Sequence, residues 1–355
     1  MIKIRQKKRE NSQSQQEDHS QLKVLHVHDV AFVGSNLVAG LNEIGIPATF
    51  YEIRNTNLHL TGWKKTLAII LFRLLEIFRF GCYVRKNPFN IIHIHFGTFA
   101  YLALWNRIPY FLHLHGSDVR SLIHHPFIGR IIRQGIKKAQ TVFYSTPDLE
   151  LLIKPYRPDA LFFPNPIDLT KFKPPTDPPD SKLVFNINKL DKFKGINVIL
   201  DACELLLNAD PDLHIRMFNF GNNLSEAAAF LEKHNSNPRV HFIGRVPHEE
   251  MLNLLQNSSV VIGQMGTGIL TVSELEAMAC GKAVVCNFQY DHKYLSPPPI
   301  CYAGTALDCK NQVYSLLNTQ GKRMQIGEQA CQWVLKNADR RFLASRLSEI
   351  YQNHL

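Results

Sequence analysis

The chain has 355 residues, 45% of them hydrophobic and 20% charged, and a net charge of +10. That length is too great for one hydrophobic core and suits two, the composition is that of a soluble globular protein, and the charge favours phosphates, nucleotides, nucleic acid or an acidic membrane face over cationic partners. Seven scattered cysteines with no C-x-x-C pair exclude a disulfide framework and a structural zinc cluster and point to a reducing compartment.

Residues 1–21 are basic and then rich in Gln and Ser, with no apolar segment. They read as a disordered tail, not a signal peptide. The first half of the chain then alternates strand and helix. Short β-runs lie at 23–30, "ATFYEI", 91–96, 110–116, 141–146 and 160–165, with helical segments between most of them. The first helix follows a turn at Gly34, with Ser35 or Asn36 as candidate caps.

Residues 66–84 are strongly apolar, but the longest unbroken run is Leu67 to Phe72, and Arg73, Glu76 and Arg79 interrupt the rest. A bilayer span needs about 20 apolar residues, so this is a helix with a wide apolar face packed on its own domain. Its second reading is a helix lying in a membrane interface, with Trp63, Lys64 and Lys65 ahead of it.

Residues 170–181 carry four prolines in twelve and read as a linker. The alternation restarts beyond it: strands at 182–188, 214–221, 240–244, 260–265 and 283–287, helices at 196–209, 226–235 and 248–257, and helical segments around 306–318 and 322–355. The expected architecture is α/β: an N-terminal Rossmann-like domain over 22–169 and a second over 182–330. Residues 331–355 form a C-terminal helix that can return to the first domain. Parallel sheets of this kind bind ligands at the carboxyl ends of their strands, so two facing domains make one cleft.

Four groups of residues carry candidate chemistry. His26 and His28, His93 and His95, and His113 and His115 are pairs two apart on strands, hence on one face. They suggest either a metal site, with Asp29 or Asp118 as carboxylate ligands, or polar strand-end residues. The second is preferred, because three pairs on three strands need not converge. Next, Lys189 and Lys194 bracket a strand-to-helix turn in "NKLDKFKG" and suit a diphosphate. In "GTGILTVSELEAMACGKAVV", Gly266 and Gly268 precede a helix starting near Ile269 to Val272, and Gly281 ends it. Glu276 stands inside that helix, either for a ribose diol or paired with a lysine. Finally, "HLHGSDVR" puts His115 and Asp118 on one loop at a sheet rim, with helix capping as the plainer role for Asp118.

In order, "HGSDVR", "FFPNPIDLTKFKP", "NKLDKFKG", "VHFIGRVPHEEMLNLL" and "SELEAMACGKAVV" resemble the retaining glycosyltransferases of family 4, over about residues 23–290. The resemblance implies two Rossmann-like domains facing across a cleft (the GT-B fold). It implies transfer of a sugar from a nucleotide-sugar, UDP in preference to GDP, to a glycan or lipid-linked acceptor with retention, as in polysaccharide or glycoconjugate synthesis. No metal, cofactor or nucleic acid partner is implied. The expected location is cytoplasmic, with peripheral contact to an anionic membrane as a further option. His115 is implied at the sugar and acceptor side with Asp118 supporting its loop, and Gly34 at the turn nearest the donor. Lys194 takes the donor-phosphate lysine, and Lys189 stands where arginine is usual. Gly244, Arg245 and Val246 pass the base. Gly268, Ile269, Leu270 and Thr271 lie at the phosphates and sugar, and Glu276 at the ribose. The departures are Gly268, where most members have a second glutamate, and Pro166 where glycine is common. The alternatives are a catalytically silent sugar-nucleotide or glycan binder and a nucleotide-sugar epimerase on the same fold.

Overall fold

The computed structural model describes residues 22–54, 61–177, 179 and 181–355. The expected tail at 1–21, the side chain of Trp63 and linker residues 178 and 180 lie outside the described residues. The described residues form two compact units, one within 22–164 together with 340–355, and one within 165–339.

The first unit runs β1 (Val24–Val27), α1 (Val33–Glu43), β2 (Ala48–Tyr51), α2 (Gly62–Lys86), β3 (Ile91–His95), α3 (Tyr101–Asn106), β4 (Phe111–Leu114), α4 (Ser117–Arg120), α5 (Ile128–Lys138), β5 (Val142–Tyr144), α6 (Glu150–Ile153) and β6 (Leu161–Phe162). Its six strands are parallel, in the order β2-β1-β3-β4-β5-β6. Alternation along the strands gives the sheet two unlike faces. Leu25, Val27, Ile92, Ile94, Leu112 and Leu114 join one apolar core. His26, His93, His95, Phe111, His113 and Phe143 pack ring on ring.

The second unit runs β7 (Leu183–Asn186), α7 (Ile196–Ala209), β8 (His214–Phe218), α8 (Leu224–His234), β9 (Val240–Ile243), α9 (His248–Gln256), β10 (Val260–Ile262), α10 (Val272–Ala279), β11 (Ala283–Cys286), β12 (Cys301–Tyr302), α11 (Ala306–Asn318) and α12 (Gln320–Asn337). Its parallel sheet has the order β12-β11-β10-β7-β8-β9, so the strand order reverses between β7 and β10. That is the doubly wound pattern, with cores on both faces.

Helix α13 (Arg340–Gln352) belongs to the first unit. It packs on α1 where Gly40 has no side chain; a Cβ there would meet the Arg340 carbonyl oxygen at 2.4 Å. Arg340 and Arg341 both pair with Glu43.

Several local expectations change. The helical segment at 322–355 is two helices, broken at Ala338 and Asp339, where Ile167 donates to the Ala338 carbonyl at 2.7 Å. The described part of the proline-rich segment lies in the second unit: Gln256 Nε2 donates to the Lys173 carbonyl at 3.0 Å. Helix α1 is not capped by Ser35 or Asn36. It starts at Val33, and the upstream Asp29 accepts from the Gly34 N–H at 2.8 Å. The two-residue strand β12 is too short to carry a periodic signal and has no counterpart among the expected strands.

Candidate functional site

Strand β7 and strand β10 are neighbours at the reversal of the second sheet, and the loops that follow them carry the lysines and the glycines. The two loops touch backbone to backbone. Met265 N–H donates to the Lys194 carbonyl at 2.9 Å. A Cβ on Gly195 (φ +72°) would lie 2.7 Å from the Gly266 nitrogen, and a Cβ on Gly266 would lie 2.4 Å from the Phe193 carbonyl oxygen. Only glycine against glycine permits that approach. Asp191 shapes the lysine turn by accepting from Phe193 N–H at 3.2 Å and from Asn222 Nδ2 at 3.1 Å. Lys189 is exposed and Lys194 half-buried.

Gln264 organises the glycine loop. Its fully buried amide donates to the carbonyls of Ile269 (2.8 Å) and Asn287 (2.6 Å). Its carbonyl accepts from Gly266 N–H (2.9 Å), Thr267 N–H (2.7 Å) and Thr267 Oγ1 (3.0 Å). Gly268 sits at φ +67°, and a Cβ there would press on Gln289 at 3.0 Å. The side chains of Ile269 and Leu270 are buried, so those residues can offer a ligand only their backbones.

The start of α10 holds a carboxylate absent from the candidates named on sequence. Glu274 is fully buried. Its oxygens accept from Gln264 N–H at 2.9 Å, from Thr271 N–H at 2.8 Å and from the Thr271 hydroxyl. The Thr-x-x-Glu spacing of a capping box is its sequence signal.

Glu276 is 4% exposed, one turn from the start of α10. Its Oε1 accepts from His248 Nε2 at 2.6 Å, so the partner is a histidine and not the lysine considered from sequence. Burial raises its pKa, and His248 and then Lys171 pull it back. His248 opens α9, directly after the segment with Gly244, Arg245 and Val246. Gly244 is exposed with open space around it, Arg245 lies over the Phe220 ring at 5.0 Å, and Val246 packs on the core. No sequence spacing links positions 248 and 276.

Lys282, in the same motif, is structural. Its Nζ donates to the carbonyls of Gln256 (2.9 Å) and Ser258 (2.8 Å), and burial lowers its pKa to about 8. A cavity of about 570 Å³ lined by Pro174, Gly281, Lys282 and Arg323 lies beside that C-terminal end of α10. Ligands of doubly wound sheets bind at the opposite edge, so this cavity is not the candidate donor site.

In the first unit the histidines do converge. His26 Nδ1 meets His95 Nε2 at 2.9 Å, and His95 Nδ1 meets His115 Nε2 at 3.0 Å. Tyr351 of α13 meets His93 Nδ1 at 2.6 Å. A neutral imidazole donates at one nitrogen and accepts at the other, so the linked rings share one direction of donation. Burial holds all five neutral, with mutual repulsion adding to it for most. His26 and His113 fall to about 3, and His93, His95 and His115 lie well below the usual value.

The ring nitrogens of His93, His95 and His113 come within 4.8 Å of one another. The His95 ring is nearly parallel to its neighbours, 27° from His93 and 24° from His113, so the in-plane lone pairs run alongside rather than toward a shared ion. Both nitrogens of His95 are also engaged by other histidines.

Asp118 is fully buried and holds the rim loop by accepting backbone N–H groups of Gly97, His115, Gly116 and Val119. Burial raises its pKa and those four bonds lower it. His28, Asp29, Phe50, Arg54, Arg73 and Phe99 contribute to a cavity of about 650 Å³. It lies by the loops after β1 and β3, where this sheet's order reverses.

Residues 168–291 match the family model for glycosyl transferases group 1. Across 358 aligned residues the chain is 21% identical to N-acetyl-alpha-D-glucosaminyl L-malate synthase of Bacillus anthracis, covering 92% of this chain and 90% of that one. It is 24% identical over 215 residues to one of the subunits of phosphatidylinositol N-acetylglucosaminyltransferase of Arabidopsis thaliana, covering 57% of this chain and 48% of that one. Its fold is similar to that of Anabaena Alr3699/HepE in complex with UDP and glucose, with a TM-score of 0.69, 15% identity, and coverage of 94% and 100%. The chain is therefore a glycosyltransferase built on the two-domain α/β fold of the GT-B kind, with its match to the group 1 model lying inside the second unit.

Proposed function

We propose that the protein moves a sugar from a nucleotide-sugar, a UDP-sugar in preference to a GDP-sugar, to a glycan or lipid-linked acceptor, with retained configuration and without a metal or cofactor. The observation that carries this reading is the backbone contact of the lysine loop and the glycine loop at the switch point of the second sheet, with Glu276 one turn into the adjoining helix. Lys189, Lys194 and the backbone N–H groups of Gly268, Ile269 and Leu270 hold the diphosphate, the charge that a metal answers elsewhere, while Thr271, expected with them, gives its N–H and hydroxyl to Glu274. Glu276 takes the ribose hydroxyls, and Gly244 to Val246 flank the base. The sugar–phosphate C–O bond breaks as the acceptor oxygen bonds to the same carbon from the same face. The acceptor proton passes to an oxygen of the departing diphosphate. Within the first unit we assign His115 to the sugar or acceptor, Gly34 in the first turn of α1 to the donor, and the cavity by His28 and Arg73 to the acceptor.

Two similarities support the reading: one structural neighbour is named as a complex with UDP and glucose, and one relative is named for a phosphatidylinositol substrate. Seven free cysteines agree with a cytoplasmic location, and the pathway proposed is polysaccharide or glycoconjugate synthesis. The test is a thermal-shift series with nucleoside diphosphates and their sugars. UDP should raise Tm more than GDP without added metal. Glu276→Ala should weaken UDP binding by about 1–3 kcal/mol. An unchanged Tm with every nucleotide, or unchanged affinity in the variant, would remove the donor site as drawn.

A further inference from the structure

Helix α2 packs Ile77, Phe80, Tyr83 and Val84 on the core, yet it also turns two charged side chains inward and leaves an apolar stripe outside. A surface helix normally gives its charged face to water and its apolar face to the core. Here Glu76 is 1% exposed and accepts from the Tyr51 hydroxyl at 2.8 Å. Arg73 also points inward: its Nη1 donates to Tyr101 OH at 3.4 Å, its guanidinium lies 5.7 Å from the Phe99 ring centroid, and it lines the first unit's cavity. Phe80 completes that inner face and is fully buried.

The outer face carries Leu67, Ile70, Leu71, Leu74, Leu75 and Phe78, between 48% and 68% exposed. They fall three and four residues apart, so they form one continuous stripe along about three turns. Lys64 and Lys65 are exposed at one end of the stripe, and Arg79, Arg85 and Lys86 at the other. Glu76 is the only acidic residue in the helix, and it faces inward. No described helix is long and apolar enough to cross a membrane.

We propose that this stripe is a docking surface for an anionic lipid bilayer, with α2 lying in the headgroup plane. An apolar strip flanked by cations and free of outward acid matches a surface that is oily inside and negative at its edge. A second copy of the chain fits poorly, because antiparallel pairing of two such helices would set Lys64 and Lys65 against Arg85 and Lys86. The inference deepens the reading above: the acceptor is membrane-borne. The same helix meets lipid on one side and lines the proposed acceptor cavity on the other, about one helix diameter (~10 Å) apart.

The experiment is flotation of the full chain with phosphatidylcholine vesicles, with and without phosphatidylglycerol. Wild type should float with the anionic vesicles and not with the neutral ones, and added salt should weaken the association. The triple variant Leu71→Asp, Leu74→Asp, Leu75→Asp should lose at least about tenfold in partitioning while keeping its melting transition, because all three side chains point outward. Lys64→Glu with Lys65→Glu should weaken anionic binding alone. Absence of wild-type flotation, or a triple variant that floats as well as wild type, overturns the proposal. So does a dimer in sedimentation equilibrium that the triple variant dissolves. The UDP thermal shift on the same proteins separates the two readings: wild type that binds UDP but no vesicle sinks only the docking surface, and wild type that binds vesicles but no nucleotide sinks only the donor site.

Discussion

At the scale of single residues, Gly268 stands where the family resemblance implies a second glutamate, and its backbone favours glycine. The residue sits at φ +67° against Gln289, whose N–H donates to the Gly268 carbonyl at 3.0 Å. A side chain there meets both a disfavoured backbone and an occupied space. Gly268→Glu should therefore cost about 1–2 kcal/mol from the left-handed conformation alone. That lowers Tm by about 2–8 °C in a unit of this size, read by differential scanning fluorimetry. An unchanged Tm would mean that the loop has a second conformation open to it. The sequence pointed to Glu276 and the two lysines through motif order. It did not reveal His248 as the partner of Glu276, because nothing local connects positions 28 apart. Glu274 was legible from the Thr-x-x-Glu spacing, but its burial depends on β10 and its following loop closing over the helix start.

At the scale of elements, the candidate donor site depends on two loops closing on each other. Gly195→Ala would place a methyl 2.7 Å from two backbone atoms, Gly266 N and Met265 C, neither of which can swing away. The variant should bind UDP at least about tenfold more weakly with Lys194 and Glu276 both intact, as measured by calorimetry. Retained affinity would show that the loop contact is not needed for the grip. Helices 196–209 and 306–318 were readable to the residue, because an apolar stripe and flanking turn residues mark both ends. Helix α2 was readable as amphipathic, but its apolar face was expected on the domain, and the structure leaves the stripe from Leu67 to Phe78 exposed instead. Periodicity reports unlike faces, and only the neighbouring Tyr51, Phe99 and Tyr101 draw Glu76 and Arg73 inward.

At the scale of the whole molecule, the buried histidines set an acid limit. Their folded pKa values lie below 6.5, with His26 and His113 near 3, so the unfolded chain takes up protons first as pH falls. The stability that these rings contribute is complete above pH 6.5 and is lost as pH drops toward 3, by up to about 1.4 kcal/mol per ring and pH unit. Glu276 and Asp118 work in the other direction, since their raised pKa values favour the fold at low pH, but they are two groups against five. Tm should thus fall between about pH 7 and about pH 5. A flat profile would show that the histidine cluster opens to water without cost. Two α/β domains were plain in the sequence from strand–helix alternation that stops and restarts. The convergence of the histidine pairs was not, because it needs the strand order β1-β3-β4, which alternation does not specify.

Helix α13 has a consequence for how the chain is made. Its Tyr351 is fully buried against His93 and Phe111, and its first residues fill the notch left by Gly40. The first unit is thus completed by residues synthesised after the whole of the second. Until that helix emerges, the histidine face and the groove at Gly40 remain uncovered while an entire second domain is being produced. Such a chain closes its N-terminal half late, so cutting away residues 340–355 should harm the domain farther from the cut in sequence more than the one beside it.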